Sequence, residues 1–464
     1  MILKQYYLGC LAHASYLLVD EGSRTALVVD PQRDVDQYVR DAQQLGATIR
    51  HVLLTHYHAD FVAGHLELQK RTGARIGLGN AVKPEYPADL YADGERLEFQ
   101  DLAIAVLHTP GHTPESVTYL VYDKRKDAKQ PYAALTGDTL FIGDVGRPDL
   151  LASIGFTSEQ LGAMLYHSLH QKLLKLPDST LIYPAHGAGS MCGKNLSNEK
   201  VSTLGQQRAS NYALQPMSEA DFIALVSAGQ PEAPQYFVHD AILNRQNRET
   251  LEDSLGKKLN PLGLEAALRL ANSGATLLDV RDADEFAAGH LSGSLNIGLS
   301  GSFATWAGTM LPPKGPIVIV GRADQHAEAG MRLGRIGLDN LQGALAFDPS
   351  WAKTRPELVQ RFERLEPRPF EAWIGSADRP QVLDIRTPAE TNAGALPGAT
   401  LIPLNQLPNR LAELDPKRPL AIVCRSGYRS SLAASLLQAR GFQRLADLKG
   451  GMTAWDAAHS PAKG

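Results

Sequence analysis

The chain has 464 residues, 44% hydrophobic and 21% charged, which excludes a disordered, fibrous or membrane-embedded chain as the whole answer. At roughly 150 residues per domain, the length points to three domains. The formal net charge of −4 comes without a block of like charge, so the sequence lacks the footprint of a nucleic-acid or lipid-surface binder, and small molecules are the expected partners. Cys10, Cys192 and Cys424 are too few and too scattered for a disulfide framework, which points to a reducing, cytoplasmic setting. The opening MILKQYYLGCLAHASYLLVDEG reads as strands rather than a secretory leader, and no apolar run reaches the roughly 18 residues of a membrane span.

Up to about Leu214, short β-rich runs alternate with amphipathic helical stretches. ALVVD (26–30), HVLLT (51–55), AIAVLHT (103–109), YAALTGD (132–138) and TLIYPAH (180–186) read as strands that stop at polar or Gly-containing turns. Between them, Val35, Tyr38, Val39, Ala42 and Leu45 recur at helical spacing, as do Leu161, Leu165, Leu169 and Leu173. The pattern is layered α/β. A polar stretch from Gln215 to about Pro261 reads as a helical extension followed by a connector.

Beyond it, one plan occurs twice. TLLDVRDADEFAAGHLSGSLNI (276–297) with PIVIVGRADQHAEAGMRLGRIGL (316–338) is matched by QVLDIRTPAETNAGALPGATLI (381–402) with LAIVCRSGYRSSLAASLLQARGF (420–442). In both, a strand ends in Leu-Asp-x-Arg, an acidic residue and a Gly-rich turn follow, and a second strand enters a loop and a helix. This is an internal duplication, and Pro356, Pro367 and Pro369 mark the break between its copies.

In the first half, Thr55-His56-Tyr57-His58-Ala59-Asp60-Phe61 directly follows an apolar strand, and His112 in TPGHTPES, Asp138 in TGDTLF and His186 in YPAHGAGS sit on similar turns. Four strand ends thus each present an imidazole or carboxylate beside small residues, a way for a layered α/β fold to build a site on one rim. Taken together, these residues resemble the metallo-β-lactamase fold over about the first 210 residues, with Phe61 standing where that signature has its last histidine. The family's second metal site is built around that histidine, so a single-metal enzyme is expected.

Among single-metal branches the sequence resembles the persulfide dioxygenases. The resemblance implies one ferrous ion per chain, held by His56, His112 and Asp138. Two imidazoles and one carboxylate with open positions suit non-heme iron that handles oxygen. His58, Asp60 and His186 are then expected behind the ligands, orienting them or bound water, with His58 as a direct zinc ligand the rival. Asp144 and Arg147 read as positioning residues or as a loop salt bridge. Cys10 falls in a β-like run and reads as a small core residue, whereas Cys192 is either packed in its loop or engaged with a thiol substrate.

In the last copy, Cys424-Arg425-Ser426-Gly427-Tyr428-Arg429-Ser430 links an apolar strand to a helix. There the sulfur faces loop N–H groups, a helix N-terminus and two arginines, a setting for a nucleophile. Tyrosine phosphatases carry their essential Arg one position further on. The shorter loop, with LDIR and GALPGA, resembles the rhodanese sulfurtransferases, although Gly394-Ala395-Leu396 stands where many have Gly-His-Ile. That resemblance implies a persulfide carried on Cys424, and an anionic donor or acceptor held by Arg425, Ser426, Gly427, Tyr428 and Arg429. The first copy reads Gly321-Arg322-Ala323-Asp324-Gln325-His326 at the same place and has no cysteine to load.

The expected fold is α/β: an N-terminal αββα metallo-β-lactamase-like sandwich with its extension (1–240), an inactive rhodanese-like domain (262–355) and an active one (366–464). The domain order resembles the persulfide dioxygenase-sulfurtransferases of bacterial sulfide detoxification. It implies that a low-molecular-weight thiol persulfide and O2 give thiol and sulfite, and that sulfite with a second persulfide gives thiosulfate. Expected partners are the thiol persulfide, O2, sulfite and further copies of the chain in a dimer or tetramer, with no nucleic acid and no membrane. The alternatives are a zinc thioester hydrolase resembling glyoxalase II fused to a sulfurtransferase, and a persulfide sensor with a structural metal.

Overall fold

The computed structural model describes residues 1–150, 155–230 and 232–460. It divides into two units, Met1–Ser254 with Gly334–Gly337, and Leu255–Leu333 with Leu338–Gly464. Among the described residues, no helix is long and apolar enough to cross a membrane.

Two six-stranded sheets build the first unit. One runs in spatial order through β1 (Ile2–Leu8), β2 (His13–Asp20), β3 (Thr25–Val29), β4 (Thr48–Leu53), β5 (Arg75–Gly79) and β6 (Asp89–Tyr91). The other comprises β7 (Arg96–Glu98), β8 (Leu102–His108), β9 (Val117–Asp123), β10 (Ala133–Gly137), β11 (Leu181–Pro184) and β12 (Ser202–Thr203), again as sequential neighbours. Strand alternation explains the sandwich. Leu102, Ile104 and Val106 of β8, with Val117, Tyr119 and Val121 of β9, point into a core shared with Tyr16, Leu18, Leu27 and Val29 of the first sheet. The intervening Ala103, Ala105, Leu120 and Tyr122 face outward and are covered by Leu165 and Leu169, together with Phe222 and Val226. Both faces of the second sheet are therefore buried, which accounts for the near-continuous apolar runs in its sequence.

The polar stretch after Gln215 is more ordered than its composition implied. It forms the expected helical extension and continues it where a connector was expected, as helices Glu219–Ser227, Tyr236–Arg245 and Leu251–Lys258. Phe222, Val226, Tyr236, Phe237 and Leu251 are buried there, enough apolar anchors to hold the helices in place.

In the second unit the duplication appears as two parallel sheets of like order. Leu295–Asn296, Thr276–Asp279, Ile317–Gly321 and Leu341–Ala346 form the first. Thr400–Leu401, Gln381–Asp384, Leu420–Val423 and Leu445–Leu448 form the second, extended at its edge by Glu363–Leu365. The Leu-Asp-x-Arg motif has the same physical job in each copy. Arg281 folds back on Asp279 with Nη2 at 2.6 Å from Oδ2 and donates to Gly289 O, and Arg386 does the same to Asp384 at 2.6 Å and to Gly394 O. Each arginine ties a buried carboxylate at a strand end to the turn that follows.

Candidate functional site

Topology alone gathers the histidines of the first unit. β4 is parallel to β3, and β10 to β11, while β8 runs antiparallel to β9, which runs antiparallel to β10. Hence β8, β10 and β11 end on one rim and carry His112, Asp138 and His186, and the loop after β4 brings His56, His58 and Asp60. Because β2 runs antiparallel to β3, its first residue, His13, starts at the rim where β4 ends, and it bridges to His186. Sequence reasoning missed His13. The available signal was a histidine opening a strand antiparallel to the one that carries the ligand loop.

His56, His112 and Asp138 are buried, with candidate ligand atoms all within 4.8 Å of one another. Asp138 Oδ2 lies 3.9 Å from His56 Nε2 and 3.5 Å from His112 Nε2, and no hydrogen bond reaches it. Outer partners fix both rings. Thr55 Oγ1 donates to Asp30 Oδ2 at 2.8 Å, which leaves it to accept from His56 Nδ1 at 2.9 Å. His112 Nδ1 donates to the Arg147 carbonyl at 3.0 Å. Each ring therefore carries its proton on Nδ1 and aims the Nε2 lone pair at the Asp138 side. Burial, followed by the neighbouring His58, pushes the His56 pKa well down, and burial lowers that of His112, so both rings stay neutral donors. The approach is close: a Cβ on Gly137, whose φ is +52°, would meet Thr55 Oγ1 at 2.6 Å, and one on Gly146 would meet Asp138 O at 1.9 Å.

A second trio, His58, Asp60 and His186, also has candidate donor atoms within 4.8 Å. His186 is held between two carboxylates, Nδ1 at 2.7 Å from Asp138 Oδ1 and Nε2 at 2.8 Å from Asp60 Oδ2. Burial alone would lower its pKa, but Asp138 and Asp60 override that and raise it well above the ordinary value. Burial likewise acts to raise the Asp138 carboxyl, yet His186 and the other rings hold it well below the usual range. His58 Nε2 sits 3.1 Å from Asp30 Oδ1. Phe61 fills the remaining corner, with its ring 4.0 Å from that of His13 and 4.4 Å from that of His58, measured between centroids.

Cys192 is buried with its sulfur within 4.8 Å of donor atoms on Asp138 and His186, and burial raises its pKa well above the ordinary value. Cys10 departs from its expected place. It lies in the turn between β1 and β2, half-buried, because the strand ends at Leu8 and the chain must reverse before His13. Arg147 does form a loop salt bridge, to Asp149 at 2.6 Å, while its carbonyl positions His112. Asp144 instead accepts from Tyr212 Oη and from the Lys194 and Asn195 amides.

The ligand loop is clamped from outside by residues that sequence reasoning passed over. Asn244 Nδ2 donates to His58 O and Phe61 O, both at 2.8 Å, and Oδ1 accepts from Ala63 N–H at 2.7 Å. Glu67, on the helix that follows, accepts from Arg33 Nε at 2.9 Å and from Arg248 Nη1 at 2.7 Å, and Arg248 also donates to Ala63 O.

In the second unit, Cys424 ends the strand Leu420–Val423, and its Sγ accepts the Gly427 N–H at 3.1 Å. Its own side chain is buried, while Arg425 and Ser426 are exposed. Gly427 has φ +82°, and a Cβ there would meet Arg364 Nη2 at 2.8 Å, so the loop is closed on its backbone. Ser430 Oγ donates to Asp447 Oδ2 at 2.5 Å, and Arg364 bridges Asp447 to the Gly427 carbonyl. Arg429 is paired with Glu390 at 2.6 Å, whereas Arg425 faces no carboxylate among the described residues. Tyr428 Oη donates to Gly298 O of the first copy at 2.8 Å. Beside it a cavity of about 450 Å³ opens between Ser300, Ser302 and Trp306 of one copy and Ser426, Tyr428 and Arg429 of the other. In the cysteine-free loop, Gln325 Oε1 accepts from Arg322 N–H and fills the turn.

A profile of the metallo-beta-lactamase superfamily matches residues 8–186, and one of the rhodanese-like domain matches 264–343 and 367–458. The human mitochondrial persulfide dioxygenase ETHE1 is 31% identical over 240 residues, covering 51% of this chain and 84% of that protein. The cytoplasmic hydroxyacylglutathione hydrolase of Arabidopsis thaliana is 33% identical over 187 residues, 40% of this chain and 67% of that protein. Among solved structures, a metallo-beta-lactamase from Staphylococcus aureus subsp. aureus COL is similar over 75% of this chain and 99% of its own, with a TM-score of 0.67 and 30% identity.

Proposed function

The chain belongs to the persulfide dioxygenase family of the metallo-β-lactamase superfamily and carries two rhodanese-like domains, and from this we propose that it converts a low-molecular-weight thiol persulfide to thiosulfate in two coupled steps. One ferrous ion per chain, held by His56, His112 and Asp138, would supply the activation of O2 for oxidation of the terminal sulfur. The donor set fits it: two neutral imidazoles with fixed tautomers and a carboxylate oxygen left without a hydrogen bond make a three-donor site with open positions. This trio carries the reading. Phe61 offers no donor, and His186 is hydrogen-bonded to Asp138 through Nδ1, which supports one metal rather than two.

The remaining work falls to the chain's own groups. Thr55 and the Arg147 carbonyl hold the two ligand rings, His186 holds Asp138, and His58 with Asp60 completes the wall behind them. One persulfide, one O2 and one water give one thiol, sulfite and two protons. In the second step the Cys424 thiolate attacks the terminal sulfur of a second persulfide, and the S–S bond breaks to release thiol. Sulfite then takes that sulfur from Cys424, leaving as thiosulfate and returning the thiolate. Gly427 N–H is placed to support negative charge on Sγ, and the unpaired Arg425 to attract sulfite. Joining both sites in one chain raises the effective concentration of sulfite at the second. We place the reaction in the cytoplasm and the chain in a dimer or tetramer.

Anaerobic loading with iron or zinc, followed by oxygen uptake on glutathione persulfide, tests the metal. Iron-loaded protein is expected to consume O2 at about one metal per chain. Zinc-dependent thioester hydrolysis with no oxygen uptake after iron loading would replace this reading with the hydrolase one.

A further inference from the structure

Behind Cys424 a file of polar side chains runs into the body of the last copy. Ser430 lies in the first turn of the helix Tyr428–Gln438 and Asp447 in the strand Leu445–Leu448, and both are buried. Ile422 pairs with Asp447, and Cys424, two residues past Ile422, continues the same face of the sheet. Arg364 is the register partner of Asp447 on the edge strand Glu363–Leu365. It donates to that carboxylate through Nε at 3.0 Å and Nη2 at 3.1 Å, and its Nη1 reaches Asp284 at 2.8 Å.

Protons and lone pairs give this file a direction. The Ser430 hydroxyl has one proton and gives it to Asp447 Oδ2 at 2.5 Å, so toward Cys424 it can only accept, and the thiol lies 3.6 Å away as its donor. Burial raises the Asp447 pKa above its ordinary value although Arg364 and Ser430 oppose it, and Asp284 adds to the rise. On its other sides the sulfur meets the Gly427 N–H and Arg429, which is paired with Glu390 and near Asp384, itself held by Arg386. Arg425 is exposed.

The duplication supplies a control inside the chain. Both copies keep the Leu-Asp-x-Arg tie, yet the cysteine-free copy lacks every member of this file. Gly321 stands in place of Cys424, and Ala344 pairs with Ile319 as Asp447 pairs with Ile422. Pro261 bridges to Ala344 as Arg364 pairs with Asp447, and the helix His326–Gly334 contains no serine. A tie that only supports the fold is needed in both copies, whereas partners of the thiol are needed in one.

Resting on the sulfurtransferase reading, we propose that Ser430 and Asp447 form a proton relay that converts the Cys424 thiol to its thiolate. The S–H bond breaks and its proton passes to Ser430 Oγ, while the Ser430 O–H bond breaks and that proton passes to Asp447 Oδ2, with no net change of charge. Ser430 then donates to the thiolate beside the Gly427 N–H, and neutral Asp447 keeps the proton until thiosulfate has left. Arg364 is a positioning residue that holds Asp447 in line.

Alkylation of the full chain by iodoacetamide, followed on the Cys424 peptide by mass spectrometry, tests this without turnover. Ser430→Ala and Asp447→Asn are each expected to slow it about tenfold at neutral pH and to move its pH midpoint up by about one unit, on the basis of one hydrogen bond to a charged group. The double variant is expected to be no slower than the slower single one, because the two residues act as a unit. The sign separates the relay from simple charge: a carboxylate acting only through space disfavours the thiolate, so its loss would speed alkylation. Should Asp447→Asn fail to fold, Ser430→Ala leaves the Asp447–Arg364 pair in place and reads the relay by itself. The proposal is overturned if either folded variant changes the rate less than twofold, if Asp447→Asn speeds it, or if the two effects multiply. Alkylation that behaves as described, with no transfer of sulfur from a persulfide to sulfite, would instead retain the relay and remove the sulfurtransferase reading.

Discussion

Thr55→Val isolates the support of one proposed metal ligand, His56. Valine keeps the branched shape of threonine in a buried site, so packing against Gly137 is preserved while two hydrogen bonds are lost. Asp30 Oδ2 loses the donor at 2.8 Å, and His56 Nδ1 loses the acceptor at 2.9 Å that fixes its tautomer. Asp30 retains the Thr55 N–H at 2.8 Å, so the fold is expected to survive with a loss of about 1–3 kcal/mol for the orphaned oxygen. Removing an outer partner of a metal-bound histidine typically costs about 10–100-fold in metal affinity. Competition for ferrous iron with a chelator under anaerobic conditions reads that loss, and thermal melting reads the stability. Thr55→Ser restores the hydroxyl and is expected to recover affinity to within about threefold of the parent. Undiminished iron affinity in Thr55→Val, or serine behaving like valine, would refute the argument that Thr55 orients His56.

Glu67→Gln is expected to destabilise the first unit by about 3 kcal/mol at neutral pH, because Arg33 and Arg248 lose their buried counter-charge. Burial would raise the Glu67 pKa, but the two arginines lower it from 4.5 to about 2. The stability it contributes is therefore complete above pH 4.5 and lost as pH falls toward 2, and melting curves of parent and variant should converge over that window. A gap that stays constant down to the folded pKa would contradict the assignment. Tyr428→Phe removes the bond to Gly298 O, worth about 1 kcal/mol, and is expected to raise KM for sulfur transfer a few-fold without altering oxygen uptake. Unchanged transfer kinetics would show that the cavity between the two copies plays no part in acceptor binding.

Much of the site was readable because its chemistry is local in sequence. His56, His58 and Asp60 sit on one loop, and His112, Asp138 and His186 each follow an apolar strand, so spacing and residue type were enough to nominate them. What escaped notice depends on chain reversal and long-range docking. His13 reaches the rim only because β2 runs antiparallel to β3, and Asn244 reaches the His58 carbonyl from a helix nearly two hundred residues along. Cys10 misled because an apolar run does not show where a strand stops, and the turn before His13 claims it. The helical extension after Gln215 was legible, but the connector expected after it carries helix as well, through Leu251–Lys258, since a few buried anchors such as Leu251 suffice. In the last copy, the loop's residues were legible, but the pairing of Arg429 with Glu390 was not, and among the described residues it leaves Arg425 as the loop arginine without a carboxylate.

Stoichiometry of the complete reaction tests the coupling most directly. With iron-loaded parent protein and limiting O2, the account predicts two persulfides consumed and one thiosulfate formed per O2. Cys424→Ser should consume one persulfide per O2 and accumulate sulfite at an unchanged rate of oxygen uptake. Enzymatic thiosulfate from the Cys424→Ser protein, or sulfite as the end product of the parent, would contradict it.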